Sequence, residues 1–321
     1  MTFHQSPEFA DALQATAAHF KLRTVLIEKD YWVTYVLRNL SRSKYFNEVI
    51  FKGGTSLSKA YNCIERFSED IDFAILKDPD TSANQLNKKM KAIEAEVSEN
   101  LKYFLHEKEE KKGRNRRTFY HYPKVLSDSD FGQVKDHIQL EINTFTNPIP
   151  HQEIRISSYV AQFLQQGGFD ERITQYQLEP FTVKVLTRER TFFEKLLSIT
   201  RLSNEGTDKL REKIRHFYDL HKLLNQPDLK QTLLSRSNFE LIDLVKADDN
   251  SNEIFKGDWL NKPLSSSPLF ADLEGNWKAI ESAYRSELSQ LIWANLPDSK
   301  EILLTFSSIR DYVIEYDKSK A

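Results

Sequence analysis

A single cysteine, Cys63, stands among 321 residues. No disulfide framework can brace such a chain, and the thiol usage fits a reducing cytosol. Glycine (9) and proline (10) are also scarce, which argues against a loop-rich or disordered protein and for a helix-rich globule. No run approaches the roughly 18 consecutive apolar residues that cross a membrane. Residues 1–20 hold no basic segment followed by an apolar core, the mark of a secretory leader. The reading is a soluble cytoplasmic protein with no membrane partner. An excess of either charge is missing too. Lys and Arg total 45 against 47 Asp and Glu, a formal net charge of -2, so contact with nucleic acid needs a local patch. Internal repeats, low-complexity tracts and a Walker A loop are absent from the sequence. The length suffices for one large domain or two ordinary ones with a sizeable core.

The informative stretch begins at Phe51-Lys-Gly-Gly-Thr-Ser-Leu and ends at Phe67-Ser-Glu-Asp-Ile-Asp-Phe73. A short apolar run, Val49-Ile50-Phe51, delivers the backbone to Gly53-Gly54, where a tight turn and close approach of a ligand become possible. Thr55 is placed to cap a helix from Ser56 to about Ile64, whose first N–H groups would attract phosphate. The chain returns as Asp70-Ile71-Asp72-Phe73. Residues i and i+2 of a strand share a face, so Asp70 and Asp72 point together while Ile71 and Phe73 face the interior. Paired carboxylates repel unless a cation sits between them, and an oxygen-loving divalent metal answers that need. A phosphate cradle beside a metal-binding pair reads as phosphoryl or nucleotidyl transfer on a magnesium nucleotide.

Gly-Gly, a helix and then Asp-x-Asp on the next strand resemble the signature of the DNA polymerase β-type nucleotidyltransferases. Gly53-Gly-Thr-Ser-Leu followed by Arg66-Phe-Ser-Glu-Asp-Ile-Asp-Phe is closer to one branch, the AbiEii/AbiGii toxin family of abortive-infection and related toxin–antitoxin systems. The resemblance covers roughly residues 25–225.

Other segments take their places around this stretch. Ser6-Pro7-Glu8 signals a helix running to about Phe20, and a second helix spans residues 24–40. Glu28-Lys29-Asp30-Tyr31-Trp32 lies on the second. On its residues alone it is an amphipathic helix with solvated charges; the resemblance implies a supporting role beside the active site. A long polar helix is expected over residues 80–104, then a hairpin tipped by Gly113-Arg-Asn. Lys108, Lys111, Lys112, Arg114, Arg116 and Arg117 make the densest cationic cluster, either a solvated hairpin or an arm that grips a nucleic-acid backbone. In Lys135–Phe145, Ile138, Leu140 and Ile142 face one way and Gln139, Glu141 and Asn143 the other. Glu141 is an acid in an apolar strand, costly unless exposed, paired or metal-bound. The resembled superfamily places a third carboxylate on such a strand.

Beyond a connection at residues 146–180 and a strand at residues 181–186, the pattern turns helical. Phe192, Phe193, Leu196 and Leu197 form a core stripe with Lys195 at its edge, and a helix over residues 209–225 carries Arg215, His216 and Asp219 on one side. The resemblance implies that Lys195 holds a triphosphate and that Asp219 orients it or a basic neighbour. Arg215 would be a further nucleotide contact; many members of the resembled family carry Asp where His216 stands.

The expectation is an α+β fold: a polymerase β-like nucleotidyltransferase domain on a small mixed sheet (residues 1–180) and a helical C-terminal domain completing the nucleotide site (residues 181–321). Asp70, Asp72 and Glu141 would hold Mg2+ or Mn2+, and Gly53, Gly54, Thr55 and Ser56 would cradle the phosphates of an NTP. The resemblance implies a toxin that transfers NMP to tRNA or another RNA and is restrained by a cognate antitoxin protein. Two other readings stand beside it: transfer to a protein or small-molecule hydroxyl, and a nucleotide-binding interaction module without turnover.

Overall fold

The computed structural model describes residues 2–68, 70–76, 81–126, 134–289 and 291–321. The chain divides into two compact units, Met1–Ala60 with Phe67–Leu186, and Tyr61–Arg66 with Thr187–Ala321. The boundary falls after Leu186, so the strand expected to open a second domain belongs to the first unit. The short segment Tyr61–Arg66 belongs to the second.

Eight strands make the sheet of the first unit: β1 (Val49–Lys52), β2 (Asp70–Ile75), β3 (Lys102–Phe104), β4 (Glu110–Lys112), β5 (Asn115–His121), β6 (Ile138–Asn143), β7 (His151–Ile156) and β8 (Phe181–Leu186). Their order is β3-β5-β6-β2-β1-β8-β7, with β4 added on β5. Pairing is mixed: β2 runs antiparallel to β1 but parallel to β6, and β1 runs parallel to β8. Alternation explains the two faces. Ile138, Leu140 and Ile142 of β6 are buried, as are Ile71 and Phe73 of β2, and this side packs against helix. Gln139 and Glu141 stay partly exposed on the other side.

Helix α1 (Phe9–Phe20) begins after the Ser6-Pro7 turn, and α2 (Thr24–Arg42) follows close to expectation. The helix expected over residues 80–104 is shorter. Ser82 caps α4 (Ala83–Val97) through a capping box with Gln85, and the chain then extends into β3. Three elements occupy the connection before β8, namely β7, α5 (Tyr159–Gln166) and α6 (Asp170–Gln175). Strand β7 pairs antiparallel with β8 along its whole length, and no alternation in His151–Ile156 announces it.

The charges of α2 are not solvated. Glu28, Lys29 and Asp30 are all buried. Each has a partner distant in sequence, as buried charge requires, although Glu28 Oε2 has none among the described residues. Glu28 accepts from the Val125 N–H at 2.6 Å. Asp30 pairs with Lys59 and accepts from the Tyr159 N–H at 2.8 Å. Lys29 donates from its Nζ to the carbonyls of Lys135, at 2.8 Å, and His137. Burial raises the Glu28 carboxyl and lowers the Lys59 ammonium from their ordinary pKa values, against the pull of those partners. An amphipathic pattern cannot reveal such partners, because they come from residues tens of positions away.

The second unit is helical: α7 (Arg188–Ser203), α8 (Thr207–Glu212), α9 (Ile214–Leu224), α10 (Phe239–Asn250), α11 (Pro268–Ala271), α12 (Leu273–Leu288) and α13 (Ser299–Lys320). The helix expected over residues 209–225 is broken at Lys213 into α8 and α9. Residues near 229–235 form turns. Phe192, Phe193, Leu196 and Leu197 are buried as their spacing requires, and Phe217 stacks on Phe306 with ring centroids 4.8 Å apart. Trp259 and Trp277 are core residues, while Trp293 lies at the rim. Among the described residues no helix is long and apolar enough to cross a membrane.

Lys29 offers a direct test of the buried-charge account. Lys29→Met should lower the stability of the protein by about 2–3 kcal/mol, since two carbonyls lose a charged donor. The exposed Lys91→Met should stay within about 0.5 kcal/mol of wild type. Urea midpoints at constant m-value are the measurement, and equal midpoints for the two variants would refute the account.

Candidate active site

The turn after β1 is tighter than its sequence suggests. Helix α3 spans Gly53–Lys59 with Lys52 as its N-cap, so Thr55 lies inside the first turn and does not cap it. Gly53 has a φ of 81°, in the left-handed region. A Cβ at Gly53 would stand 2.1 Å from Oδ2 of Asp72. The glycine therefore lets a carboxylate, as well as any ligand, approach the main chain. Thr55 and Ser56 are buried, and their hydroxyls are turned inward. Thr55 Oγ1 donates to the Asp70 carbonyl at 2.5 Å and lies 3.0 Å from Ser68 Oγ. Ser56 Oγ donates to the Gly53 carbonyl at 2.9 Å. These hydroxyls brace the loop; the partly exposed Gly53 and Gly54 are what it presents to solvent.

Register across the sheet assembles a row of charge. Lys52 of β1 is opposite Asp72, Asp72 opposite Glu141 of β6, and Glu141 opposite Arg117 of β5. Residues opposite one another share a face, so the sequence along the row is cation, acid, acid, cation. Asp70 lies on the same face of β2, opposite Gln139. The three acids expected together are thus on one side of two adjacent strands. Each of two has a basic partner in contact: Lys135 Nζ sits 2.7 Å from Asp70 Oδ1, and Arg117 donates to Glu141 Oε2 at 2.9 Å. Partial burial disfavours the Arg117 charge, yet Glu141, Glu110 and Asp72 together raise its pKa above the ordinary value.

Among the described residues no three His, Cys, Asp or Glu side chains converge as a metal-ligating set. A magnesium-type ion does not need three, since it is held by one or two carboxylates with phosphate and water oxygens completing its shell. Asp70 and Asp72, hard oxygen donors on one strand face with Asp72 pressed against a Cβ-free turn, fit that donor set. Glu141, clasped by Arg117, is a neighbour of the pair.

In the second unit Lys195 is buried near the middle of α7, and its Nζ lies 3.0 Å from Asp219 Oδ2 on α9. Asp219 is fully buried and receives Arg66 in a fork, Nε to Oδ1 at 2.6 Å and Nη2 to Oδ2 at 2.7 Å. Burial alone would raise the Asp219 pKa. Arg66 and Lys195 overcome it and hold the carboxyl well below the usual carboxylate range. His216 Nδ1 is buried without a hydrogen-bond partner among the described residues. Burial, with Lys195 and Lys213 nearby, pushes its pKa well below the ordinary value, so the ring is neutral. Arg215 is partly exposed in the first turn of α9. Asp219 is thus engaged by the long-range partners Arg66 and Lys195.

Arg66 and Lys135 are the two site residues that sequence reasoning missed. Arg66 opens the Arg-x-Ser-x-Asp-x-Asp wording yet pairs with a residue 153 positions away, which no local pattern discloses. The basic hairpin, read as either solvated or an arm, is only partly solvated. It forms between β4 and β5 with Gly113 at φ 59°. Arg116, however, is buried against Glu94 at 2.5 Å, and Arg117 clasps Glu141. Lys108, Lys112 and Arg114 remain exposed.

Gly53→Ala tests the loop geometry. A side chain in this left-handed, occupied position should cost about 1–3 kcal/mol of stability and displace Asp72. Nucleotide transfer should fall by roughly 100-fold, the scale of an ångström of misplacement. A variant with wild-type melting temperature and wild-type transfer would contradict the assignment.

Three comparisons with known proteins bear on this geometry. The family described as the nucleotidyl transferase AbiEii toxin of type IV toxin–antitoxin systems matches residues 35–303. MenT4, a nucleotidyltransferase toxin from Mycobacterium tuberculosis H37Rv, superimposes with a TM-score of 0.51 at 17% identity, over 97% of this chain and 98% of that one. That likeness establishes a shared fold. A structure from H. pylori, described provisionally as a nucleotidyltransferase, aligns over 72% of this chain and 97% of its own at 14% identity. Its TM-score of 0.30 adds no argument. No curated protein sequence matches. With a family match across most of its length, and the glycine turn and paired acids inside the matched span, the chain belongs to the AbiEii nucleotidyltransferase toxins of type IV toxin–antitoxin systems.

Proposed function

We propose that this nucleotidyltransferase transfers NMP from an NTP to a hydroxyl of an RNA acceptor, tRNA among the candidates, with Mg2+ or Mn2+ held by Asp70 and Asp72. The observation that carries the reading is the packing of Asp72 against Gly53 with Asp70 beside it on the same face. It brings two carboxylates to the edge of a turn whose glycine backbone is open to solvent. In the reaction the acceptor oxygen bonds to the α-phosphorus in line with the departing pyrophosphate, and the hydroxyl proton leaves to the carboxylate face. A bound divalent ion would neutralise charge on the attacking and leaving oxygens. The chain's own residues do the rest by placement. Gly53 and Gly54 present main chain to phosphate, and Glu141 with Arg117 fixes the flank of the pair.

Lys195 is the phosphate-neutralising residue in this reading. It shares the Asp219 carboxylate with Arg66, so one acid serves two cations. The Lys195 ammonium is oriented by Asp219 but not fully neutralised by it, which suits a group that receives a polyphosphate. Arg215 is proposed to assist from the start of α9, and the neutral His216 adds no competing charge. For an RNA acceptor the exposed Lys108, Lys112 and Arg114 offer a local patch on a chain of net charge -2. A cognate antitoxin, implied by the family, is proposed as the protein that restrains the activity.

Purified protein incubated with each labelled NTP, a divalent ion and total cellular RNA should label RNA. Asp70→Asn and Asp72→Asn should remain folded by circular dichroism and lose transfer by at least roughly 100-fold. Label appearing in protein, or in neither polymer, would overturn the RNA assignment; active Asn variants would overturn the site. Lys195→Ala should weaken NTP binding and turnover by roughly 100- to 1,000-fold. Asp219 keeps Arg66 in that variant, so global unfolding would not be the cause. Lys195→Arg should rescue poorly, because a planar fork does not replace a compact ammonium. Unaltered nucleotide affinity in Lys195→Ala would remove it from the site.

A further inference from the structure

We infer that Lys135 is the resident counter-ion of Asp70, and that its ammonium competes with a divalent cation for that carboxylate. The inference rests on the proposed role of Asp70 as a metal ligand, and adds what fills the carboxylate's surroundings before metal arrives.

Three observations carry it. Lys135 Nζ is 2.7 Å from Asp70 Oδ1 and 3.1 Å from Gln139 Oε1. Gln139 is the residue opposite Asp70 across β2 and β6, so the ammonium lies over the acid-bearing face. The side chain is not that of an untethered surface lysine, because its own carbonyl is held at 2.8 Å by Lys29. The same buried ammonium also takes the His137 carbonyl, fixing the two residues that lead into β6. Helix α2 thereby sets where the Lys135 side chain starts, and Asp70 and Gln139 set where it ends. Lys29 is a positioning residue in this arrangement.

Electrostatics makes the two occupants exclusive. Magnesium-type ions bind carboxylate oxygen at about 2.0–2.1 Å. An ammonium left on the same carboxylate would stand within a few ångströms of a dication, a like-charge contact that disfavours joint occupancy. The ammonium must therefore leave Asp70 when metal enters. A nucleotide reverses the balance, since its phosphates add negative charge that accommodates both the dication and the displaced ammonium. The nucleotide-free protein should then take metal weakly, and take it well only together with an NTP. Lys135 would make metal loading depend on substrate.

The test is Mn2+ binding to the full chain without nucleotide, read from the electron-spin-resonance signal of free Mn2+. Lys135→Met should bind Mn2+ more tightly than wild type by roughly fivefold, the upper scale for a half-exposed charge pair. Lys135→Arg, which keeps the charge, should stay near wild type. Asp70→Asn should bind more weakly than either. Adding a non-hydrolysable NTP should shrink the gap between wild type and Lys135→Met. If Lys135→Met binds no more tightly while Asp70→Asn is weakened, the competition is refuted and the metal role of Asp70 stands. If Asp70→Asn matches wild type, the metal role itself falls and the inference with it. Circular dichroism melts of the three variants confirm that folded protein is being compared.

Discussion

Like charges on one strand face must be neutralised, and the first unit is organised by how this is done. Asp70 and Asp72 share a face because a strand has a period of two, and parallel register with β6 brings Glu141 alongside. Three acids so placed would repel without cations. The fold supplies cations from separate elements: Lys52 at the end of β1, Arg117 from β5 and Lys135 ahead of β6. None is a sequence neighbour of its acid. The consequence is a face whose acids are bordered by cations drawn from three other segments of the chain.

Around Asp219 in the second unit the balance is reversed, with two cations on one acid. Asp219 is buried and charged only because Arg66 and Lys195 flank it. A buried carboxylate with one such fork is satisfied in geometry by Arg66 alone, and buried charge pairs are weak evidence for stability as such. Lys195, at 3.0 Å, is a second cation on the same acid. The same environment keeps His216 neutral.

What the sequence makes legible follows from range. The Asp70/Asp72 face, the glycine turn and the alternation of β6 are local and periodic, and the structure has them where their spacing places them. Lys195 and Asp219 are recognisable only through the wording of a family; their contact with each other spans two helices. Arg66 lies within that wording, but its partner is 153 residues downstream, and Lys135 opposes an acid 65 residues upstream. Boundary errors have the same origin. Ser82 stops α4 from beginning earlier, and β3 takes residues 102–104 because β5 needs an antiparallel partner there. Strand β7 exists through its pairing with β8, not through its own pattern.

The Gly-Gly pair shows how a correct motif can carry an incomplete reason. Glycine at the turn suggests room for a ligand phosphate, and the main chain at Gly53 and Gly54 does stay partly open. Yet the atom nearest to where a side chain would grow is Asp72 Oδ2. The left-handed φ of Gly53 and the missing Cβ are both needed before the carboxylate can lie against the turn. Thr55 and Ser56, which look like phosphate donors, instead tie the turn to the Asp70 and Gly53 carbonyls. The loop and the acid strand are therefore one object: the hydroxyls lock the glycine turn to β2, and the turn fixes the orientation of the acids. Substitutions that spare every carboxylate can still dismantle the site by changing that loop.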